Sequence, residues 1–63
     1  MGEKSARKRL FILEKARGVF VRKGFKAVTM QDVVAACGIS RGGLYLYFPD
    51  VKSIFLAVLA GGR

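Results

Sequence analysis

The sequence contains no histidine, and only four of its 63 residues carry an acidic side chain. These acids, scattered along the chain, are Glu3, Glu14, Asp32 and Asp50. A histidine-based triad, a pair of cooperating carboxylates and a zinc site all need residues that this inventory does not supply. The sequence therefore predicts a protein that is not an enzyme, with no catalytic residue, no metal site and no cofactor.

Cysteine is nearly absent too, since Cys37 stands alone. Disulfide-stabilised domains use paired cysteines, so we expect Cys37 to be a small buried apolar residue in a reducing, cytoplasmic setting. No apolar run approaches the roughly 18 residues needed to cross a bilayer. The basic start also lacks the apolar stretch and cleavage site of a signal peptide. These absences favour a cytoplasmic protein without a membrane partner.

What the chain does have is positive charge. Twelve lysine and arginine residues against four acids give a net charge of +8. Such a balance favours a polyanionic partner, either nucleic acid or an anionic membrane surface. Hydrophobic residues make up 52% of the chain, so the composition predicts one small folded domain rather than a disordered segment.

The spacing of the apolar residues predicts four helices and no strand. The first helix extends from about Ser5 to Lys23 and ends at Gly24, in the position that tolerates a left-handed backbone. Its apolar stripe consists of Ile12, Leu13, Ala16, Val19 and Phe20. Three further apolar residues fall off that stripe, namely Leu10, Phe11 and Val21.

Capping residues predict where the next helices begin. Thr29 followed three residues later by Asp32 is a capping-box pattern, and it opens a short helix that ends at Gly38. Ser40 can cap a third helix, which runs from Arg41 to about Phe48 because Pro49 disfavours helical geometry at the residue before it.

A fourth helix follows, and Asp50 can cap it. Apolar residues recur along it at helical spacing and should form one face: Val51, Ile54, Phe55, Val58 and Leu59. The pattern as a whole predicts an all-α fold, a small homeodomain-like bundle of four helices that contains a helix-turn-helix.

The predicted helix-turn-helix occupies residues 29–48, with Gly38 at the sharp reversal and Ile39 buried beneath it. In DNA-binding versions, the second helix enters the major groove with its N-terminal residues. Gly42 and Gly43 lack side chains, so the backbone at the start of that helix can approach DNA closely, and its first N–H groups can attract phosphate.

Polar side chains flank the two glycines. The Arg41 guanidinium suits a phosphate or a guanine edge. Tyr45 and Tyr47 are rigid, and their hydroxyls can reach phosphate oxygens or bases. The pattern thus favours double-stranded DNA over other polyanions.

Several motifs occur in a fixed order along the chain. They are Phe20-x-x-x-Gly24 followed by Phe25, then Thr29-Met30, then Cys37-Gly38-Ile39-Ser40, and finally Arg41-Gly42-Gly43-Leu44-Tyr45-Leu46-Tyr47-Phe48. From Ile12 to Leu59 this set resembles the N-terminal DNA-binding domain of the TetR/AcrR family of transcriptional repressors. The resemblance covers about three quarters of the chain.

The resemblance implies a role for individual residues. Thr29 and Tyr45 would bind phosphates, and Tyr47 would lie along the groove. Bases or the adjacent backbone would be contacted by Ser40, Arg41 and Gly43. The resemblance places Leu44 and Phe48 in the core.

Two departures from the family pattern concern this site. The family commonly has a phosphate-binding lysine two residues after the proline, where this chain has Val51, and Lys52 follows one position later. Because one residue turns a helix by about 100°, Lys52 need not point where the usual lysine points. Gly43 also replaces a common serine or threonine, which removes one polar contact.

The resemblance also implies partners for a longer protein. Two copies would bind a palindromic operator as a homodimer, and a small-molecule inducer would bind a larger C-terminal domain that these 63 residues do not contain. That domain would cover apolar surface on the helix-turn-helix domain. The surface residues expected there are Leu10, Phe11, Val21, Leu56 and Ala57.

Other interpretations remain open at this point. The chain as a whole suits a protein-interaction helical module or a cationic helix bundle on a membrane surface. Gly42 and Gly43 suit close packing of two helices, Thr29 suits a cap alone, and Arg41 suits a solvated charge. The basic run at the start suits either a solvated face or an arm along the DNA backbone. That run consists of Lys4, Arg7, Lys8 and Arg9.

Overall fold

The computed structural model describes residues 2–61, with side chains from residue 6 onward. This part of the chain contains four α-helices, one short 3₁₀ turn and no strand, which confirms the predicted all-α bundle. The helices are α1 (Gly2–Lys23), α2 (Met30–Cys37), α3 (Arg41–Tyr47) and α4 (Val51–Leu59), and the 3₁₀ turn is Phe25–Ala27.

The observed helix ends are close to the predicted ones. α1 begins at Gly2, three residues before the predicted start, and α3 ends at Tyr47 with Phe48 as its C-cap. Gly24 has φ 81° and ψ 147°, a backbone conformation that is largely restricted to glycine, and it ends α1 as predicted. The sequence pattern did not predict the 3₁₀ turn that follows.

The core lies where α1 packs across α2 and α4. All five residues of the predicted α1 stripe are buried. Leu44 and Phe48 are also buried, as expected, and so is Cys37. The remaining buried residues are Val28, Val33 and Ile54.

Cys37 is confirmed as a buried apolar residue. Its Sγ lies 3.9 Å from the carbonyl oxygen of Ile12 on α1, to which the thiol donates weakly. Burial raises the pKa of the Cys37 thiol above its ordinary value, and the positive charge of Lys15 opposes this rise only in part. The thiol therefore stays protonated and unreactive at neutral pH.

Three phenylalanine rings hold the 3₁₀ turn against the bundle. Phe55 of α4 lies edge-on to Phe20 of α1, with ring centroids 5.2 Å apart. The Phe25 ring lies 4.5 Å from that of Phe55 and 6.1 Å from that of Phe20. Such ring pairs contribute about 0.5–1.5 kcal/mol beyond the area they bury, so this aromatic cluster fixes the chain as it enters α2.

Most apolar residues off the predicted stripe are exposed. Leu10, Phe11, Val21 and Leu56 all lie at the surface, as expected. Two other predictions need correction, because Ala57 packs against the core and Leu59, assigned to the buried face of α4, is 67% exposed. Leu59 is the last residue of α4. A groove of about 590 Å³ between α1 and α4 is lined by Leu10, Leu13, Glu14, Arg17, Val58, Leu59 and Gly61.

Within residues 2–61, no single helix has the length and apolar character to cross a bilayer. Taken together, α3 and α4 are long and apolar enough to meet those two criteria, but the two helices are bent by 53° relative to each other.

Two glycines should respond oppositely to the same substitution. Gly18 lies within α1 with open space where a Cβ would be, so Gly18→Ala should raise the free energy of unfolding by about 0.5–1 kcal/mol. Gly38 has φ 72°, so Gly38→Ala should lower it by about 1 kcal/mol. Urea denaturation of both variants beside the parent measures the two changes. Changes of the same sign would contradict the observed backbone at residue 38.

Candidate nucleic-acid interface

The helix-turn-helix has the sharp reversal that the sequence predicts. Gly38 caps α2 in the left-handed conformation, with φ 72° and ψ 22°, and its N–H donates to the carbonyl of Val34. Ile39 packs against the core, and Ser40 begins α3. α3 thereby becomes a separate seven-residue helix rather than an extension of α2.

α3 has a buried side and an exposed side. Leu44 is fully buried, Phe48 is nearly so, and Tyr47 is half-buried against the core. The opposite side faces solvent and carries no acidic residue. Its exposed residues are Arg41, Gly42, Tyr45 and Leu46.

Thr29 stands exposed at the start of α2 in a complete capping box. Its hydroxyl accepts a hydrogen bond from the Asp32 N–H at 3.2 Å, and the Asp32 carboxylate accepts one from the Thr29 N–H at 3.0 Å. The Thr29 hydroxyl keeps its own proton to donate, because capping uses only a lone pair. Capping and phosphate binding are thus compatible at Thr29.

Asp32 also joins α2 to α1. Its carboxylate accepts a hydrogen bond from Lys23 Nζ at 2.9 Å. This bond, followed by the one from the Thr29 N–H, lowers the pKa of Asp32 below its ordinary value. The carboxylate is therefore ionised at neutral pH and offsets the charge of Lys23.

Ser40 caps α3 as predicted, and this corrects one expectation. Its Oγ accepts a hydrogen bond from the Gly43 N–H at 3.0 Å. That N–H was expected to be free for phosphate, but the cap already satisfies it. A Cβ on Gly43 would lie 3.1 Å from the same Ser40 Oγ, so the cap also explains why glycine suits position 43.

Gly42 is open on all sides. A Cβ built there would have no heavy atom within 4 Å beyond its own helix and chain neighbours. Close packing against α2 therefore does not account for this glycine, although the sequence had left that explanation open. Because glycine has no side chain, the backbone of α3 is accessible to a partner at this exposed position near the start of the helix.

Arg41 is held by a residue that the sequence analysis did not select. Its Nη2 donates to Oε1 of Gln31 on α2 at 2.6 Å. The bond crosses from one helix of the motif to the other, so the guanidinium has a defined position at the surface. Only the relative placement of α2 and α3 brings these two residues together.

The other predicted site residues, Tyr45 and Lys52, are both exposed. Tyr45 is 47% exposed on α3. Lys52 is exposed in the first turn of α4, whereas Val51 packs against the core. The Asp50 side chain caps α4 by accepting from the Ser53 N–H at 2.8 Å, and this bond lowers the pKa of Asp50.

The basic run at the start of the chain forms the first turns of α1. Arg7 and Lys8 are exposed, while the Arg9 guanidinium lies over the Phe48 ring at 5.3 Å. The side chain of Lys4 lies outside the described residues. The charge of Arg9 is thereby brought next to the end of α3.

Comparison with known proteins gives a family match over most of this region. Residues 12–58 match bacterial regulatory proteins of the tetR family. The matched range differs by one residue from the stretch, Ile12 to Leu59, on which the resemblance had been based. It includes the whole helix-turn-helix.

Curated relatives agree with that match. The chain is 51% identical over 51 residues to the uncharacterized HTH-type transcriptional regulator YfiR of Bacillus subtilis, covering 81% of this chain and 25% of that protein. It is 37% identical over 57 residues to the HTH-type transcriptional repressor AcnR of Corynebacterium glutamicum, covering 90% and 30%.

A third relative is the HTH-type transcriptional repressor BepR of Brucella suis biovar 1, which is 30% identical over 59 residues, covering 94% of this chain and 28% of that protein. The chain thus spans less than a third of the length of each of these relatives. With three quarters of its residues matched in order on a helix-turn-helix bundle, the chain belongs to the TetR family of bacterial regulatory proteins.

Proposed function

We propose that this chain binds double-stranded DNA sequence-specifically, as the operator-binding domain of a TetR-like transcriptional repressor. The observation that carries the proposal is the exposed side of α3. It begins with Arg41 and has no acidic residue, and no side chain projects from it at Gly42. The net charge of +8 supplies the attraction to a polyanion. Family membership supports the same conclusion.

Some residues of the site would bind phosphates, and others would contact bases. Thr29, Tyr45 and Lys52 would hold phosphates and set the orientation of the domain on the duplex. Arg41, held in place by Gln31, would present its guanidinium to a guanine edge. The bare surface at Gly42 and Gly43 would let the start of α3 approach the groove closely.

Ser40 and Tyr47 complete the proposed base contacts. The Ser40 hydroxyl accepts a bond within its cap and keeps a proton to donate. Tyr47 is only half-buried, so part of the residue remains available along the groove. Groove shape would add to the specificity that these side chains provide.

In the whole protein, two copies would bind a palindromic operator as a homodimer in the cytoplasm. A small-molecule inducer would bind a C-terminal domain and change the spacing of the two DNA-binding domains. The relatives AcnR and BepR are named as repressors, and this supports repression as the output.

The decisive experiment is selection from random duplexes, followed by titration of the selected duplex with the 63-residue chain. We expect enrichment of a defined half-site and saturable binding at low salt, measured by fluorescence anisotropy. Anionic vesicles should compete poorly with the duplex. The absence of duplex binding at low salt would overturn the proposal in favour of a protein-interaction module, and preferential vesicle binding would favour a membrane-surface bundle.

Two substitutions should have different effects on binding. Arg41→Ala should weaken binding and relax the preference at one base position. Tyr45→Phe should weaken binding about equally for all sequences, by about 1 kcal/mol for one lost hydrogen bond. Arg17→Ala is the matched control for lost charge, because Arg17 lines the groove between α1 and α4. Anisotropy titration against selected and scrambled duplexes measures all three, and parent-like binding by both site variants would remove Arg41 and Tyr45 from the interface.

A further inference from the structure

Leu46 is an unusual residue for the surface of a DNA-binding helix. It is 84% exposed, more than any other large hydrophobic residue described in residues 6–61. It lies in α3 between Tyr45 and Tyr47, and the core residue Leu44 is two positions before it. The fold of this domain gives Leu46 almost no burial, so packing within the domain does not explain an apolar residue there.

Helical geometry places Leu46 at the outermost part of α3. Each residue turns an α-helix by about 100°, so Leu46 points about 200° away from the buried Leu44. Gly42 precedes it by one turn on the same face. Because Gly42 has no side chain and open space around it, no side chain one turn earlier on this face covers Leu46.

The face around Leu46 restricts the kind of partner. A leucine side chain offers only apolar atoms, so its partner must present an apolar group of matching size. Arg41 and Tyr45 place a positive charge and a hydroxyl beside it, and the chain as a whole is strongly cationic. An apolar protein or lipid surface suits such polar neighbours poorly, whereas a negatively charged groove suits them well.

We propose that Leu46 contacts the C5-methyl group of thymine in the major groove, and that this contact selects thymine at one position of each half-site. The inference rests on the proposed DNA-binding function. In the major groove, the thymine methyl is the apolar group among base-edge donors and acceptors. The proposal places α3 along the groove, so that a side chain on its solvent face reaches the base edges beyond the first turn of the helix.

The test uses deoxyuridine, which pairs like thymidine but lacks the methyl group. Each thymine of the selected duplex is replaced in turn by uracil, and binding of the parent chain is measured by anisotropy. We expect about a fourfold loss at one position per half-site, the size of one buried methyl group. Leu46→Ala should bind the thymine and uracil duplexes equally at that position.

Two further variants provide controls. Leu46→Met keeps an apolar side chain and should retain a preference for thymine. Leu56→Ala removes an exposed leucine from α4 and should leave the preference as it is in the parent. Circular dichroism of each variant shows whether the helices are intact.

The outcomes separate the inference from the function on which it rests. If the parent binds no duplex, the proposed function fails. If the parent binds but uracil substitution has no effect, or if the effect persists in Leu46→Ala, DNA binding stands and the thymine contact is wrong.

Discussion

Leu44→Ala should lower the free energy of unfolding by about 2–5 kcal/mol, whereas Leu46→Ala should change it by less than about 0.5 kcal/mol. The two leucines are two residues apart in α3, but Leu44 is 0% exposed and Leu46 is 84% exposed. The first substitution leaves a cavity beneath the helix, and the second removes atoms that contact mainly water. Because both substitutions are leucine to alanine in the same helix, the difference between their free energies of unfolding reports the effect of burial.

Urea denaturation followed by circular dichroism measures both free energies. A chain of this length is expected to have a total stability of about 3–9 kcal/mol. Leu44→Ala should accordingly lose a large part of that stability and unfold at a much lower urea concentration, whereas Leu46→Ala should unfold like the parent. Equal destabilisation by the two substitutions would contradict the orientation of α3 and, with it, the proposed interface.

Duplex binding should weaken about a hundredfold when monovalent salt rises from 50 to 200 mM. The logarithm of the binding constant falls with the logarithm of salt by about 0.9 for each phosphate neutralised. About four such contacts give this fall, and Lys52 together with cations from the first turns of α1 would provide them. Anisotropy titrations at four or five salt concentrations give the slope directly.

Single substitutions show which cations contribute to that slope. Lys52→Ala should reduce it by about 1, because Lys52 is assigned to a phosphate, whereas Arg41→Ala should act mainly on base preference. Arg17→Ala, which removes the same charge from the groove between α1 and α4, should leave the slope unchanged. Binding that does not respond to salt would overturn the phosphate contacts altogether.

The helix boundaries were predictable because they depend on residues close together in sequence. The Thr29–Asp32 capping box, the cap at Ser40 and the left-handed Gly38 each involve groups at most four residues apart. The helical spacing of the apolar residues in α1 then predicted which face of that helix is buried in the core. Such local preferences can be inferred without knowing how the helices pack.

Features that depend on distant contacts were missed. The 3₁₀ turn is stabilised by the packing of Phe25 against Phe20 and Phe55, which lie on two different helices. The Gln31–Arg41 hydrogen bond likewise needs the observed placement of α2 against α3. No local pattern contains either contact.

Leu46 is a different case, because a signal was present in the sequence. Once Leu44 is placed in the core, helical geometry puts Leu46 on the far side of α3. Polar residues and glycines were the predicted ligands of DNA, so this leucine was not among them. Its exposure in the folded domain is what makes it a candidate for base contact.

The aromatic cluster has a mechanical consequence. Phe55 belongs to α4, and Phe25 belongs to the turn through which the chain enters α2, so the two rings connect the last helix to the beginning of the helix-turn-helix. A tilt of α4 about its own end must either separate these rings or carry the turn with it. While the rings stay in contact, a displacement of α4 therefore also moves the turn and, with it, the start of α2.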